Sequence, residues 1–330
     1  MKILCFGEIM IRLTPPNLLR LVQTTSFDIQ YAGSEANVAV SLAQFGVPSA
    51  YVTRVPDTEL GRTALGAISR YGVDTTPSVF GGDRLGLYYL EMGMGRRGSK
   101  VIYDRAGSGM ATLQQGMIDW EKAFNGATWL HWSGITAALS QSAADVTLDA
   151  LKAASKMGIT ISCDLNYRAN LWKYGKTPAQ IMPELVEYCD VLMGDGDAFN
   201  LFFDIKAADT EGYLKNVKAR FPKLKYTTMT AREGFSASHN TYKGFLYDGV
   251  NVYASKVYDI PDILDRIGGG DAFMAGLIYG MVKNNDPQHI VEFATAAATL
   301  KHYVVGDYNL GTVAEVESLV QGNMGGRVSR

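Results

Sequence analysis

Seven residues, Asp265-Arg266-Ile267-Gly268-Gly269-Gly270-Asp271, carry the most concentrated chemistry in the chain. Successive glycines let a backbone approach a ligand closely and reach positive φ. The apolar run Ala272-Phe273-Met274-Ala275-Gly276 that follows reads as a helix, so the free N–H groups and positive dipole end of its first turn converge on one spot. An anion is expected there. Asp271, in that first turn, can accept a proton from a nucleophile beside the anion. A base for a hydroxyl next to an amide cradle describes phosphoryl transfer. The same residues also suit a plain glycine-rich turn, with Asp271 stabilising the helix start by about 0.3–1 kcal/mol. Competing phosphate motifs fail. Gly175-Lys176-Thr177 looks like the end of a Walker A loop, but Asn170 stands where its first glycine is required. No G-x-G-x-x-G follows the first apolar stretch, and the kinase triplets D-F-G and H-R-D are missing.

Stepped strand and helix patterns must position this loop. Strands are expected at Lys2–Gly7, Ala50–Arg54, Trp129–Trp132, from Ile159 to near Asp164, Val191–Met193 and Tyr226–Met229. Between them, helices are expected at Ser34–Phe45, Leu60–Tyr71, Ala143–Met157 and Pro183–Tyr188, several ended by glycine. Lys243–Tyr253 alternates around Asp248-Gly249 as a hairpin. Gly270–Lys283 is a helix, Asp286-Pro287 caps and starts another, and Thr312 with Glu315 forms a capping box for the last. This alternation means an α/β fold, a mostly parallel sheet flanked by helices, with ligands at the carboxyl ends of the strands. Leu85–Glu91 and Lys100–Tyr103, joined by Gly93–Gly98, break the rhythm. With parts of residues 10–31 they are expected to form a small β-sheet lid.

Composition bounds the rest. The chain has 330 residues, with 31 Lys+Arg against 33 Asp+Glu, a balance that disfavours a nucleic-acid binder. No stretch approaches the ~18 apolar residues of a membrane span, and Met1–Met10 reads as a buried strand rather than a signal peptide. Cys5, Cys163 and Cys189, three and scattered, fit a reducing cytoplasm and buried thiols. His131, His239, His289 and His302 show no metal spacing, and His131 in Trp129-Leu130-His131-Trp132 reads as a core residue. Gly276 and Gly280 are spaced to let their helix pack closely.

The Asp265–Phe273 stretch resembles the C-terminal signature of the ribokinase, or phosphofructokinase-B, family of carbohydrate kinases, and Gly33-Ser34-Glu35-Ala36-Asn37-Val38-Ala39 resembles the N-terminal one. Further matches at Gly82–Glu91, Val101–Ser108, Asp164–Arg168 and Gly306–Leu310 run in order along nearly the whole chain. They are nearest to the branch that phosphorylates 2-keto-3-deoxygluconate at its 6-hydroxyl with ATP. Siblings acting on fructose, ribose, a nucleoside or 2-keto-3-deoxygalactonate, and a non-catalytic sugar-binding homologue, are the alternatives. The resemblance implies one ribokinase-like domain over 1–330, a Rossmann-like body with lid strands from about 10–31 and 85–105, and a homo-oligomer, dimer or larger. By that resemblance Asp271 is the catalytic base, and Gly268, Gly269 and Gly270 form the anion hole for the γ-phosphate. Gly33, Ser34 and Asn37 hold sugar hydroxyls, Tyr89, Tyr103, Arg105 and Arg168 line the sugar-acid pocket, and Asp307 contacts substrate. Asn166 and the loop with Thr230, Arg232, Gly234 and Phe235 lie at ATP. Implied cofactors are ATP and Mg²⁺, with a monovalent cation as a further expectation. Family members carry an Asn and a Glu that organise Mg²⁺ hydration; here the stretch reads Gly194-Asp195-Gly196-Asp197, which leaves Asp195 and Asp197 as indirect metal candidates or simple turn residues.

A sugar acid needs a charged partner. Arg105 and Arg168 each follow an expected strand and suit bidentate binding of a carboxylate, although each also has a nearby aspartate, Asp104 or Asp164, as a surface partner worth about 0–1 kcal/mol.

Overall fold

A computed structural model describes residues 1–323. Across its large sheet the strands run Gly234–Ser236, His239–Tyr247, Tyr226–Ala231, Val191–Met193, Thr160–Asp164, Ala127–Ser133, Lys2–Phe6 and Ser49–Val52, with Val252–Ala254 and Tyr258–Ile260 pairing onto His239–Tyr247. From Tyr226–Ala231 to Ser49–Val52 all neighbours are parallel. Helices cover both faces, which is why Ile3, Leu4, Cys5 and Phe6 form an uninterrupted apolar run that is fully buried. His131 and all three cysteines lie in this core. Burial pushes the His131 imidazole down to about 3, so it is neutral.

A second sheet is built in the order Asp28–Ala32, Met10–Thr14, Gly86–Glu91, Lys100–Asp104. Its inner face, Met10, Ala32, Tyr88 and Leu90, packs with Ile267 of the glycine loop, so this sheet roofs the ends of the parallel strands.

The helix expected at Pro183–Tyr188 spans Pro178–Val186 instead. Thr177 caps it with Gln180, and Pro178 takes the first turn, where no N–H is needed; these signals outrank Pro183, which the helix contains. Helices Gly196–Phe203 and Thr210–Arg220 were not expected, although Asp195 and Asp209 cap them. Helices Gly269–Val282 and Pro287–Lys301 pack tightly: a Cβ on Gly276 would lie 2.6 Å from the Ala294 Cα, and one on Gly280 2.9 Å from Ile290. Among the described residues no helix is long and apolar enough to cross a membrane.

Candidate active site

The signature aspartate sits at the floor of a cavity of about 430 Å³ between the strand ends and the roof sheet. Asp271 occupies the first turn of helix Gly269–Val282. Its Oδ1 accepts from Ser34 Oγ and its Oδ2 from Asn37 Nδ2, both at 2.7 Å. Ser34 and Asn37 lie one turn apart at the start of helix Ser34–Gln44, so a single helix end presents both donors. Gly33 is required before them because a Cβ there would fall 2.0 Å from the Glu8 carbonyl oxygen. Asn166, in the left-handed region at φ 41°, donates from Nδ2 to Ser34 Oγ at 2.9 Å. The aspartate is thus fixed by a relay Asn166–Ser34–Asp271.

Burial raises the Asp271 carboxyl to about 6, with Asn37 and Ser34 pulling it back and the charge of Asp307 adding to the rise. Such a group is ionised at neutral pH and still basic enough to take a proton. Burial also lifts Asp164, on the cavity wall, and Glu35 beneath it to about 7 each. Glu35 stays fixed because Oε1 accepts from the Ser133 N–H at 3.0 Å and its hydroxyl at 2.6 Å. An acid limb in kcat/KM with a midpoint near pH 6 is therefore expected, well above the ordinary Asp value of 3.8. A rate unchanged from pH 7 down to 5 would remove Asp271 from the proton-accepting role.

Beside Asp271, the first intrahelical bond runs from Ala272 N to Gly268 O at 2.9 Å. The amides of Gly269, Gly270 and Asp271 are the ones left over at the helix start. Gly268 holds φ 83°, and a Cβ there would strike the Asp307 carbonyl oxygen at 2.0 Å, so only glycine fits. Gly269 backs onto His302, whereas a Cβ on Gly270 would meet only the Met193 Cε, at 4.0 Å. The result is a preformed concavity of N–H groups facing the cavity, suited to an oxyanion.

The cationic residues differ in condition. Arg105 is buried: its Nε donates to Glu8 Oε2 at 2.7 Å, its Nη2 also bonds that carboxylate, and Ser108 Oγ bonds the other oxygen. Its charge is therefore already met. The surface alternative for it fails, because Asp104 pairs with Arg84 at 2.9 Å. Arg168 is exposed on the cavity wall, bonds only the Tyr167 carbonyl, and makes no ion pair among the described residues. Arg232 and Arg266 also line the cavity with no carboxylate partner among the described residues. Burial lowers the Arg266 pKa and the neighbouring Arg232 charge adds to that, so the pair is set to receive a polyanion.

The roof contributes Met10, Tyr88, Val101 and Tyr103. Tyr89 does not join them. Side chains alternate along a strand, and because Tyr88 faces inward, opposite Tyr103, Tyr89 points outward and meets Phe27 edge-on at 5.8 Å. Tyr88 instead donates to Asp307. Thr230 and Arg232 line the cavity, but Gly234 and Phe235 do not; the chain turns away into strand Gly234–Ser236, and Phe235 packs on His239 at 4.8 Å. Asp195 lines the cavity while its Oδ1 accepts from Ala198 N at 2.8 Å. Asp197 does not, since two residues along a helix turn a side chain by about 200°. Among the described residues no three His, Cys, Asp or Glu are arranged to hold a metal ion.

A buried network not expected from the sequence joins the roof sheet to the glycine loop. Arg12, on strand Met10–Thr14, donates to Asp265 Oδ2 at 2.6 Å and also to Asp307. Asp265 Oδ2 accepts in turn from the Gly306 N–H at 3.1 Å. The signal was an arginine inside an alternating apolar strand, where an unpaired charge would not be tolerated. Glu8 was legible in the same way, next to the first buried strand.

Residues 1–310 match the family described as pfkB family carbohydrate kinase. The chain resembles a 2-dehydro-3-deoxygluconokinase structure from Thermotoga maritima, with 40% identity and a TM-score of 0.93 over 98% of this chain and 100% of that one. A 2-dehydro-3-deoxygalactonokinase of Haloferax volcanii is 29% identical over 325 residues, 98% of each chain. A fructokinase of Xylella fastidiosa solved with bound ATP shares the fold, at 21% identity and a TM-score of 0.80 over 98% of each chain. With the signature loop, the buried aspartate and this match spanning nearly its full length, the chain belongs to the pfkB family of carbohydrate kinases.

Proposed function

We propose that this kinase transfers the γ-phosphoryl group of ATP to the 6-hydroxyl of 2-keto-3-deoxygluconate. The observation that carries the sugar-acid choice is Arg168, which pairs with no carboxylate among the described residues, on the wall of the cavity that holds Asp271. A guanidinium without a protein carboxylate is the partner a substrate carboxylate needs, and anchoring that end directs the far hydroxyl at the base. Arg105, neutralised by Glu8, can still donate a hydrogen bond but adds little net charge.

The hydroxyl proton passes to Asp271 while O6 bonds to the γ-phosphorus. The bond from that phosphorus to the β,γ-bridging oxygen breaks, and its electron pair leaves with ADP. The leftover amides of Gly269, Gly270 and Asp271 take the charge on the transferring group, and Arg232 and Arg266 take the polyphosphate. Mg²⁺ enters as part of the nucleotide substrate; Asp195 fits its water shell, with Oδ2 free for that contact. Asp307, turned by Arg12 and Tyr88, presents its remaining acceptor capacity to substrate hydroxyls, and the roof sheet limits access of water. The whole chain works as one kinase unit in the cytoplasm, where its three buried thiols stay reduced.

An ADP-release assay across sugar acids and neutral sugars tests this reading. It includes the C4 epimer, because the Haloferax relative bears that name. Preference for a neutral sugar would overturn it. Arg168→Ala is expected to raise KM for the acid at least about tenfold, with little change for a neutral sugar, since a charge-assisted bond contributes about 1.5–3 kcal/mol. Equal losses on both would remove the carboxylate role. The outward roof face, with Ile29, Ile102 and Phe27 exposed, and the open edges at Asp28–Ala32 and Lys100–Asp104 favour a homodimer through this sheet, which light scattering tests.

A further inference from the structure

Behind the glycine loop lies a charge that the proposed chemistry does not use. Lys301, the last residue of helix Pro287–Lys301, is completely buried. Its ammonium donates to the carbonyl oxygens of Asp265 at 3.2 Å and Val304 at 3.1 Å. These carbonyls belong to the two segments on which the anion site rests. Leu264 and Asp265 bond the His302 carbonyl at 2.9 and 3.2 Å, Gly306 bonds Asp265 Oδ2, and Gly268 lies against the Asp307 carbonyl. Burial lowers the Lys301 pKa, and Asp265 and Asp307 draw it back up. With Arg12 it forms a set of two buried cations facing two buried carboxylates. A bare pair of converging carbonyls would be a site for a monovalent cation; here the lysine head already fills it, so a resident ion does not fit.

We propose that Lys301 is a positioning residue that serves as a built-in monovalent cation, holding the 265–271 loop against the 302–307 segment so that the kinase needs no added potassium or sodium. This rests on the loop being the phosphate site. The ammonium cancels the repulsion of two peptide oxygens in a dry site and fixes Gly268 against Asp307; a displaced loop would misaim both the amides and Asp271.

The test compares wild type, Lys301→Ala and Lys301→Met in choline, sodium, potassium and ammonium chloride at equal ionic strength, reading both turnover and melting temperature. Wild-type turnover should agree among the salts to within about twofold, the residue of general screening. Lys301→Ala should lose about a hundredfold in kcat in choline, the scale of a misplaced catalytic group. It should regain rate and melting temperature together, saturably, in ammonium or potassium, because the ion enters the vacated space. Lys301→Met, which fills that space, should not respond. Strong stimulation of wild type by potassium, an alanine variant as active as wild type in choline, or one that recovers neither property in any salt would each overturn the proposal. Should no sugar support turnover in wild type, the kinase reading fails by itself, and the salt dependence of the melting temperatures still decides the role of Lys301.

Discussion

Asp271→Asn is expected to lower kcat at least about a hundredfold while leaving ATP affinity nearly unchanged, because general-base catalysis is worth about 10²–10⁴ in rate and the leftover amides stay in place. The asparagine is nearly isosteric, and its carbonyl oxygen can still accept from Ser34 or Asn37. Loss of rate would therefore report loss of the base rather than collapse of the site. Stability separates the two further. The Asp271 pKa is raised in the fold, so the folded state holds its proton more tightly than the unfolded chain. The contribution of that group is fully present below the unfolded value near 4 and is lost as pH rises through about 6. Removing the charge should then stabilise the protein by about 3 kcal/mol at pH 8 and leave it little changed at pH 4. A variant that is slow and also less stable at pH 8 would point to structural damage. Near-normal turnover would take Asp271 out of the mechanism.

The largest stability effect is expected at Arg12→Ala. The guanidinium is 1% exposed and bridges Asp265 and Asp307, so its loss leaves two carboxylates buried without their cation. Breaking a buried pair in this way costs about 3–5 kcal/mol, read as a lower midpoint in urea at neutral pH. Adding Asp307→Asn to Arg12→Ala should recover part of that loss, because the second carboxylate no longer needs its partner. A cost under about 1 kcal/mol for the single change, the scale of an exposed pair, would show that water reaches the network and that Arg12 does not bind the roof sheet to the body.

The parallel strands, the glycine loop and its helix were legible because period, caps and glycines agree at each of them. Helix Gly269–Val282 begins one residue from its expected start, and the Thr312–Glu315 box sits where it was read. The roof was legible as a hairpin, but which face of it turns inward was not. Tyr88 and Tyr89 are adjacent aromatics in one strand, and only pairing with neighbouring strands decides which meets the cavity. Pairs distant in sequence were hidden for a related reason. Glu8 with Arg105, and Arg12 with Asp265 and Asp307, are joined by the fold alone, so a charge beside a sheet strand could be marked as buried but not matched. Arg168 could be read from its position after a strand, yet its freedom from partners could not, since that depends on what the other elements leave vacant.

The close contact of Gly276 with Ala294 has a reach beyond local packing. Helices Gly269–Val282 and Pro287–Lys301 run as the two arms of a pair of tongs, hinged at the Asn284–Asp286 bend, with Asp271 on one tip and Lys301 on the other. The crossing at Gly276 lies five residues, about 8 Å, from Asp271 at 1.5 Å per residue. A single methyl group added there acts as a wedge and parts the tips, so variants far from any substrate atom can blunt the enzyme.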